Sequence, residues 1–401
     1  MKILVLNAGS SSHKLCLYSI DAALPENPPE GDWAAQIDWY PQRDEAIFEV
    51  KTKDGRTVHQ TMALTSRRDT LAQVLSTLWQ GQTQVISTPN DIDIVGHRIV
   101  HGGQTYRESV LVSPAVKEAI AELSLLAPSH NPANLEGIKL MEELLEDIPQ
   151  VAVFDTAFHS HMPDVATTYP GPYDWLTQGI RRYGFHGISH QYCTHRAAQL
   201  LGQEVNDLRL IICHLGNGGS LCAVKNGQSI DTTMGFTPLD GLMMGTRSGS
   251  VDPGILIHLM RQGYTADQLD HLLNKESGLK GISGVSHDLR EIEAAIHQGN
   301  PQAKLALELY VHRLKACFGA MLMGLAGVDA IVFTAGIGEH AATIRAQVCE
   351  SMAFLGIQLD LDKNVAALVD QDIATADSNA RILVIHTQED WAIAQACWHH
   401  G

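Results

Sequence analysis

Several fingerprints are missing from this 401-residue chain, and each absence narrows what it can be. There is no Gly-x-x-x-x-Gly-Lys-Ser/Thr and no Gly-x-Gly-x-x-Gly, so a phosphate site has to be built in some other way. Despite 20 histidines and seven cysteines there is no His-Glu-x-x-His and no Cys-x-x-Cys. That argues against a transition-metal centre, including one on His159-Ser160-His161. The cysteines, odd in number and scattered from Cys16 to Cys397, read as reduced thiols of a cytoplasmic enzyme, not as a disulfide framework. Positive charge is scarce, with 28 Lys and Arg against 45 Asp and Glu, and the net charge is −17. Nucleic acid and anionic membranes need a basic footprint, so neither is expected as a partner. Long apolar runs are absent too. Ile3–Leu6 is too short for a secretory core, and Ala316–Val328 falls short of the ~20 residues that span a bilayer. The latter reads as the buried end of a long helix.

Two stretches resemble each other: Ile3-Leu4-Val5-Leu6-Asn7-Ala8-Gly9-Ser10-Ser11-Ser12 and Leu210-Ile211-Ile212-Cys213-His214-Leu215-Gly216-Asn217-Gly218-Gly219-Ser220. Each is an apolar run, a turn of Gly with small polar residues, and a second apolar run. Such turns expose backbone N–H groups and admit a polyanion. Two of them, a domain's length apart, predict a duplicated α/β domain with a nucleotide held between its halves. Either copy alone would also suit a plain hairpin.

Ala22–Glu45, rich in Pro, Gly, Asp and Glu, reads as a surface loop. Residues 47–51 and 56–64 predict a hairpin around Asp54-Gly55. Thr70–Trp79 predicts a helix and Asp93–Val100 a strand. Asn131-Pro132 reads as a cap plus first-turn proline for a helix whose apolar face is Leu135, Ile138, Met141, Leu144 and Leu145. Val151–Phe154 is a strand ending in Asp155, and the first domain is taken as 1–150, completed by the terminal helix at about 387–401. The second, 151–386, carries the long Pro301–Gly327 helix and strands at Ala330–Thr334 and Arg381–His386.

Among charged residues, Arg98 in Gly96-His97-Arg98-Ile99-Val100-His101-Gly102-Gly103 and Arg247 in Met244-Gly245-Thr246-Arg247-Ser248-Gly249 are presented by small neighbours. A guanidinium there suits a carboxylate or phosphoryl group, a surface ion pair being the plainer alternative. Asp155 follows a strand, where an α/β sheet places active-site carboxylates, or else caps a helix. His186 lies between glycines in Tyr183-Gly184-Phe185-His186-Gly187, with a purely structural role as its alternative. Glu389 either caps the terminal helix or reaches a metal. Asn7, Ser10, Ser12 and Lys14 offer amide, hydroxyl and ammonium donors on one turn.

These motifs, with Phe154-Asp155-Thr156-Ala157-Phe158-His159, Phe236-Thr237-Pro238-Leu239-Asp240-Gly241 and Phe333 to Glu339, resemble the acetokinase family in order along nearly the whole chain. The resemblance implies a duplicated two-domain actin-like ATPase (ribonuclease H-like) fold with nucleotide in the interdomain cleft. It also implies a cytoplasmic homodimer transferring the ATP γ-phosphoryl group to acetate, giving acetyl phosphate and ADP, with Mg²⁺ or alternatively Mn²⁺. Residue by residue, it places Asn7 and Glu389 near the metal and Lys14 at the nucleotide phosphates, where the hydroxyls of Ser10 and Ser12 on the same turn are also expected to bind. Arg98 then matches the substrate arginine, Asp155 the catalytic aspartate, and His186 and Arg247 the transition-state stabilisers. Nucleotide-binding segments fall on His214, Leu215, Gly216, Asn217 and Gly218, on Asp288, Leu289 and Arg290, and on Gly336, Ile337, Gly338, Glu339 and His340. Val100, Ser129 and Pro238 line the methyl pocket.

The chain departs from the family pattern at Ser129 (usually Leu), His340 (usually Asn), His13 (usually apolar) and Gln388 (usually Asn). Ser129 makes a longer acid such as propionate the nearest rival substrate. A sugar or polyol kinase with Asp155 as base, and a non-enzymatic ATP-binding module, are further alternatives. The first has no use for two arginines at the substrate, and the second leaves Arg98, Arg247 and His186 without roles.

Overall fold

The computed structural model describes residues 1–9, 12–40, 44–63, 66–128, 130–366 and 369–401. The chain forms two compact units, Met1–Ala157 with Gln388–Gly401, and Phe158–Thr387. In the first, β1 (Lys2–Ala8), β2 (Ser12–Ser19), β3 (Trp33–Tyr40), β4 (Glu45–Thr52), β5 (Thr57–Ala63), β6 (Ile94–Ile99), β7 (Val110–Leu111) and β8 (Gln150–Phe154) make one sheet, ordered β5-β4-β3-β2-β1-β6-β8-β7. In the second, β9 (Arg209–Leu215), β10 (Gly219–Lys225), β11 (Gln228–Thr232), β12 (Ala330–Thr334), β13 (Gln371–Asp372) and β14 (Arg381–Val384) are ordered β11-β10-β9-β12-β14-β13.

The same plan appears twice. β1 pairs antiparallel with β2 and parallel with β6, which pairs parallel with β8. β9 likewise pairs antiparallel with β10 and parallel with β12, which pairs parallel with β14. The two similar sequence stretches are the opening hairpins of these sheets. Their turns close on Gly9 N–H donating to Ser12 O at 2.8 Å and Gly216 N–H donating to Gly218 O at 2.9 Å.

Three expectations need correction. The segment read as a loop contains β3, where Trp33, Ala35, Ile37 and Trp39 are buried and alternate with more exposed residues. That two-residue period was present but overshadowed by the Pro- and Gly-rich stretch before it. Asn131 is no cap: it is the first helical residue of Asn131–Leu145, and His130 holds the cap position. Its amide accepts from His101 N–H at 3.1 Å and donates to His101 O at 3.1 Å. In the same helix Ile138, Met141 and Leu145 are buried as read from the sequence. The strand at 151–154, which the boundary at 150/151 assigns to the second domain, is β8 of the first sheet. In the expected 56–64 strand, Leu64 lies outside the described residues. The apolar stretch at 316–328 is buried on one side only, since Phe318, Met321 and Leu325 are buried while Met323 is 80% exposed.

The helix Glu389–Trp398 belongs to the first unit and packs on β1 and β6. It approaches so closely that a Cβ on Gly96 would meet Cys397 Sγ at 2.5 Å and Ile393 Cγ2 at 2.6 Å. Only glycine fits there. All seven cysteines are free thiols, and no helix among the described residues is long and apolar enough to cross a membrane.

Burial has a consequence for acid stability. It holds the imidazoles of His13, His97, His101 and His159 down to about 4, and that of His190 well below its ordinary value. In the unfolded chain these groups titrate near ~6.5, so below that pH the unfolded state binds protons that the folded state refuses. Stability is therefore full above pH ~6.5 and declines towards pH 4, by up to about 1.4 kcal/mol per pH unit for each such group. Denaturant unfolding at pH 7.5, 6 and 5 should show falling free energies; a flat profile contradicts the burial of these rings.

Candidate active site

In the first unit the parallel strands β1, β6 and β8 end side by side, and their C-terminal ends supply Asn7, Arg98 and, just beyond β8, Asp155. Arg98 donates to Asp155 Oδ2 through Nε at 3.0 Å and Nη2 at 2.6 Å, and its Nη1 donates to Asn7 Oδ1 at 3.3 Å. Asn7 Nδ2 in turn donates to Asp390 Oδ1 at 3.3 Å. Asp155 is thus an ion-pair partner, not a helix cap, and its side chain is only 2% exposed. Burial opposes the Arg98 charge, yet Asp155, Glu389 and Asp390 outweigh it and raise its pKa above the ordinary arginine value. Asp390 is pushed up by burial and by neighbouring Glu389, against the pull of Asn7, Lys14 and Arg98. Lys14, opposite Asn7 across the β1–β2 pair, is exposed, and Ser12 is half-buried. Ser10 lies outside the described residues.

The strand ends are clamped from behind by Asn134, a residue the sequence reading passed over. Its Nδ2 donates to Ala8 O at 2.9 Å and its Oδ1 accepts from Val100 N–H at 3.1 Å, so one buried amide ties the end of β1 to the chain leaving β6. Asn134→Ala strands both backbone groups without water, at about 1–3 kcal/mol each. The expected result is a lower urea midpoint with an unchanged slope; an unchanged midpoint refutes the clamp.

In the second unit the β9–β10 turn is flanked by His186 and Arg247. A Cβ on Gly218 would lie 3.5 Å from Arg247 Nη1 and 3.5 Å from His186 Nε2. His186 has φ of 59° at the N-cap of the helix Gly187–Leu201, a left-handed conformation rare for a non-glycine residue and one that concentrates at functional positions. Its ring stacks on His214 with centroids 4.1 Å apart. Arg247 is half-buried, and its one side-chain hydrogen bond among the described residues goes from Nη1 to Pro238 O at 3.4 Å. Burial without an acid lowers its pKa. The Arg247 loop is pinned to the turn by Gly245 N–H donating to Asn217 O at 3.1 Å, and a Cβ at Gly245 would run into Asn217 Oδ1 at 2.3 Å.

The other expected nucleotide segments are placed as follows. Thr334 is in register with His214, so the short helix Ala335–His340 begins beside the turn, with Ala335 Cβ 3.7 Å from a Cβ built on Gly216. Gly336 and His340 are exposed and Ile337 is half-buried, while Gly338 packs on Phe333. Glu339 turns inward: burial raises its pKa, but His386 Nδ1 at 2.7 Å and the Thr387 N–H outweigh that and lower it. The buried Arg345 holds this helix by donating to Gly338 O at 2.8 Å and Glu339 O at 2.7 Å. Asp288 caps the helix Leu289–His297, accepting from Arg290 N–H, while Leu289 is buried and Arg290 exposed. Of the residues expected to line a methyl pocket, Val100 belongs to the first unit and Pro238 to the second, and Ser129 lies outside the described residues. Among the described residues no group of three or more His, Cys, Asp or Glu is placed to hold a metal alone.

A duplicated α/β fold of this order, with arginines and a strained histidine at glycine-rich turns, defines a phosphotransferase of the actin-like ATPase class. The acetokinase family model matches residues 2–395. An acetate kinase of Acaryochloris marina is 67% identical, covering 99% of both chains, and one of Nostoc sp. is 60% identical over 100% of this chain and 99% of its own. The crystal structure of Porphyromonas gingivalis acetate kinase superposes with a TM-score of 0.91 at 41% identity, covering 99% of each chain. A propionate kinase of Francisella tularensis gives 0.89 at 38% identity, covering 98% of each. The chain belongs to the acetokinase family.

Proposed function

We propose that this enzyme transfers the γ-phosphoryl group of ATP directly and in line to acetate, reversibly giving acetyl phosphate and ADP. The observation that carries the reading is Arg247, half-buried against the β9–β10 turn and beside His186, with no acidic partner among the described residues. A guanidinium so placed lacks an anion, and the equatorial oxygens of a transferring phosphoryl group supply one. Acetate has a carboxylate pKa and is already ionised at neutral pH, so no base is needed to make the nucleophile. The task is to overcome repulsion between two anions.

Asp155 is committed to Arg98, which suits a positioning role better than that of a general base. It takes Nε and Nη2 of the guanidinium, and although Nη1 also donates to Asn7 Oδ1 at 3.3 Å, each Nη keeps a second N–H with which to receive the carboxylate. Val100, Pro238 and Ser129 are assigned to the methyl group. Ser10, Ser12 and Lys14, with His214–Gly218, Asp288–Arg290 and Gly336–His340, are assigned to ATP. Oxygen donors from Asn7 and Glu389 suit a hard cation, Mg²⁺ or Mn²⁺, which takes its remaining ligands from phosphate and water. When bound, that ion neutralises phosphate charge. The helix Pro253–Arg261 buries none of its residues and exposes Ile255, Ile257 and Met260 by about half, which supports a homodimer. Free cysteines throughout support a reducing, cytoplasmic location.

The solved propionate kinase shares the fold, so acid preference has to be measured. Coupled ADP release should give kcat/KM highest for acetate, lower for propionate and butyrate, and none for glycerol or a hexose. A maximum at propionate moves the assignment to the pocket around Ser129, and turnover of a hydroxyl acceptor overturns it.

A further inference from the structure

Beside the stacked imidazoles of His186 and His214 lies a polar network centred on Ser220. Ser220, on β10 and fully buried, is approached by two histidines one helical turn apart: His186 Nδ1 lies 2.9 Å from its Oγ and His190 Nε2 lies 2.8 Å from it. His190 is also fully buried, and its Nδ1 has no hydrogen-bond partner among the described residues. One hydroxyl has one proton to donate, so it can serve only one of the two rings. If it served His190, the neutral His190 ring would carry its proton on Nδ1, a buried N–H with no acceptor. Orphaned buried N–H groups are rarer than under-used acceptors. In the remaining arrangements His190 Nε2–H donates to Ser220 Oγ; if His186 Nδ1–H donated there as well, the buried Ser220 O–H would have no acceptor among the described residues, so Ser220 O–H donates to His186 Nδ1.

We infer that Ser220 and His190 are positioning residues that fix the tautomer of His186, so that its Nε2 carries the proton and acts as a hydrogen-bond donor towards the turn at Gly218. The same logic recurs on the neighbouring ring: Thr387 Oγ1 donates to Ser189 Oγ at 2.8 Å, leaving the Ser189 hydroxyl proton for His214 Nδ1 at 2.8 Å. Two neutral Nε2–H imidazoles can stack at 4.1 Å, whereas two imidazolium rings would repel. The arrangement supplies donors to a phosphoryl group while leaving the cationic charge to Arg247. The role, though not the tautomer, rests on the phosphoryl-transfer reading.

The direct test is nitrogen-detected NMR of ¹⁵N-histidine-labelled, ligand-free wild-type enzyme near pH 7.5, with His186 assigned by loss of its signal in His186→Asn. The expected pattern is the Nε2–H tautomer; an Nδ1–H pattern overturns the inference whether or not the enzyme phosphorylates acetate. Ser220→Ala should lower kcat about 10- to 100-fold, by analogy with the loss of a partner that orients a metal-bound histidine. KM values should stay within about twofold, and His186 should pass to a tautomer mixture. His190→Gln, which keeps a donor at the Nε2 position, should retain more activity than His190→Leu. Unchanged kcat and tautomer in folded Ser220→Ala would also overturn the inference.

Discussion

Arg247→Ala lowers kcat by about 10³-fold or more, on the scale of losing a transition-state arginine, while KM values change far less. The argument rests on what surrounds the guanidinium. Its one side-chain hydrogen bond among the described residues is a long one to Pro238 O, and burial works against its charge. Such a residue contributes little to folding, so its removal should leave the thermal midpoint close to wild type. Selective loss of kcat in a stable protein is the signature of an interaction made only in the transition state. Steady-state kinetics with calorimetry check both halves. A kcat loss under about tenfold rejects the role, because it falls far below that scale.

Arg98→Ala has a different signature, because Arg98 carries a buried ion pair as well as its proposed contact with the substrate. Removing it leaves the Asp155 carboxylate buried and without its guanidinium, and breaking a buried pair in this way costs on the order of 3–5 kcal/mol. Arg98 is itself about one-fifth exposed, which puts the expected loss at the lower end. The double variant Arg98→Ala/Asp155→Ala removes both charges and should recover most of the stability. Activity should not return with it: both variants lose kcat/KM for acetate by about 10²-fold or more, from the lost carboxylate clamp. Denaturant unfolding and kinetics on the two variants separate the contributions. If the double variant is no more stable than the single one, the pair does not carry the stability; if it regains activity, Arg98 is not the substrate arginine.

Much of this was readable from the sequence because the determinants are local. The opening hairpins announce themselves by apolar runs around small polar turns, and Arg98 and Asp155 lie at strand ends where a parallel sheet presents side chains. What escaped notice depends on partners distant in sequence. Asn131 looks like a cap, but its amide is taken by His101, 30 residues away. Asn134 could only be recognised as a clamp once β1 and β6 were known to be neighbours. Asp390 was hidden behind Glu389, the acid that the family pattern marks. Ser220 and Arg345 have no sequence signature, since one acts by bridging two rings and the other by satisfying backbone carbonyls. Strand β3 differs in kind: its two-residue alternation is present in the sequence, but the Pro- and Gly-rich stretch before it masks that period.

Hydroxylamine trapping tests the central claim most directly, because it captures an activated acyl phosphate and not the free acid. Purified enzyme with ATP, Mg²⁺ and acetate should give acetohydroxamate in step with ADP, and Arg247→Ala should abolish both signals together. ADP formation without hydroxamate, at any acid chain length, would mean that the phosphoryl group goes elsewhere and that these residues do not serve carboxylate phosphorylation.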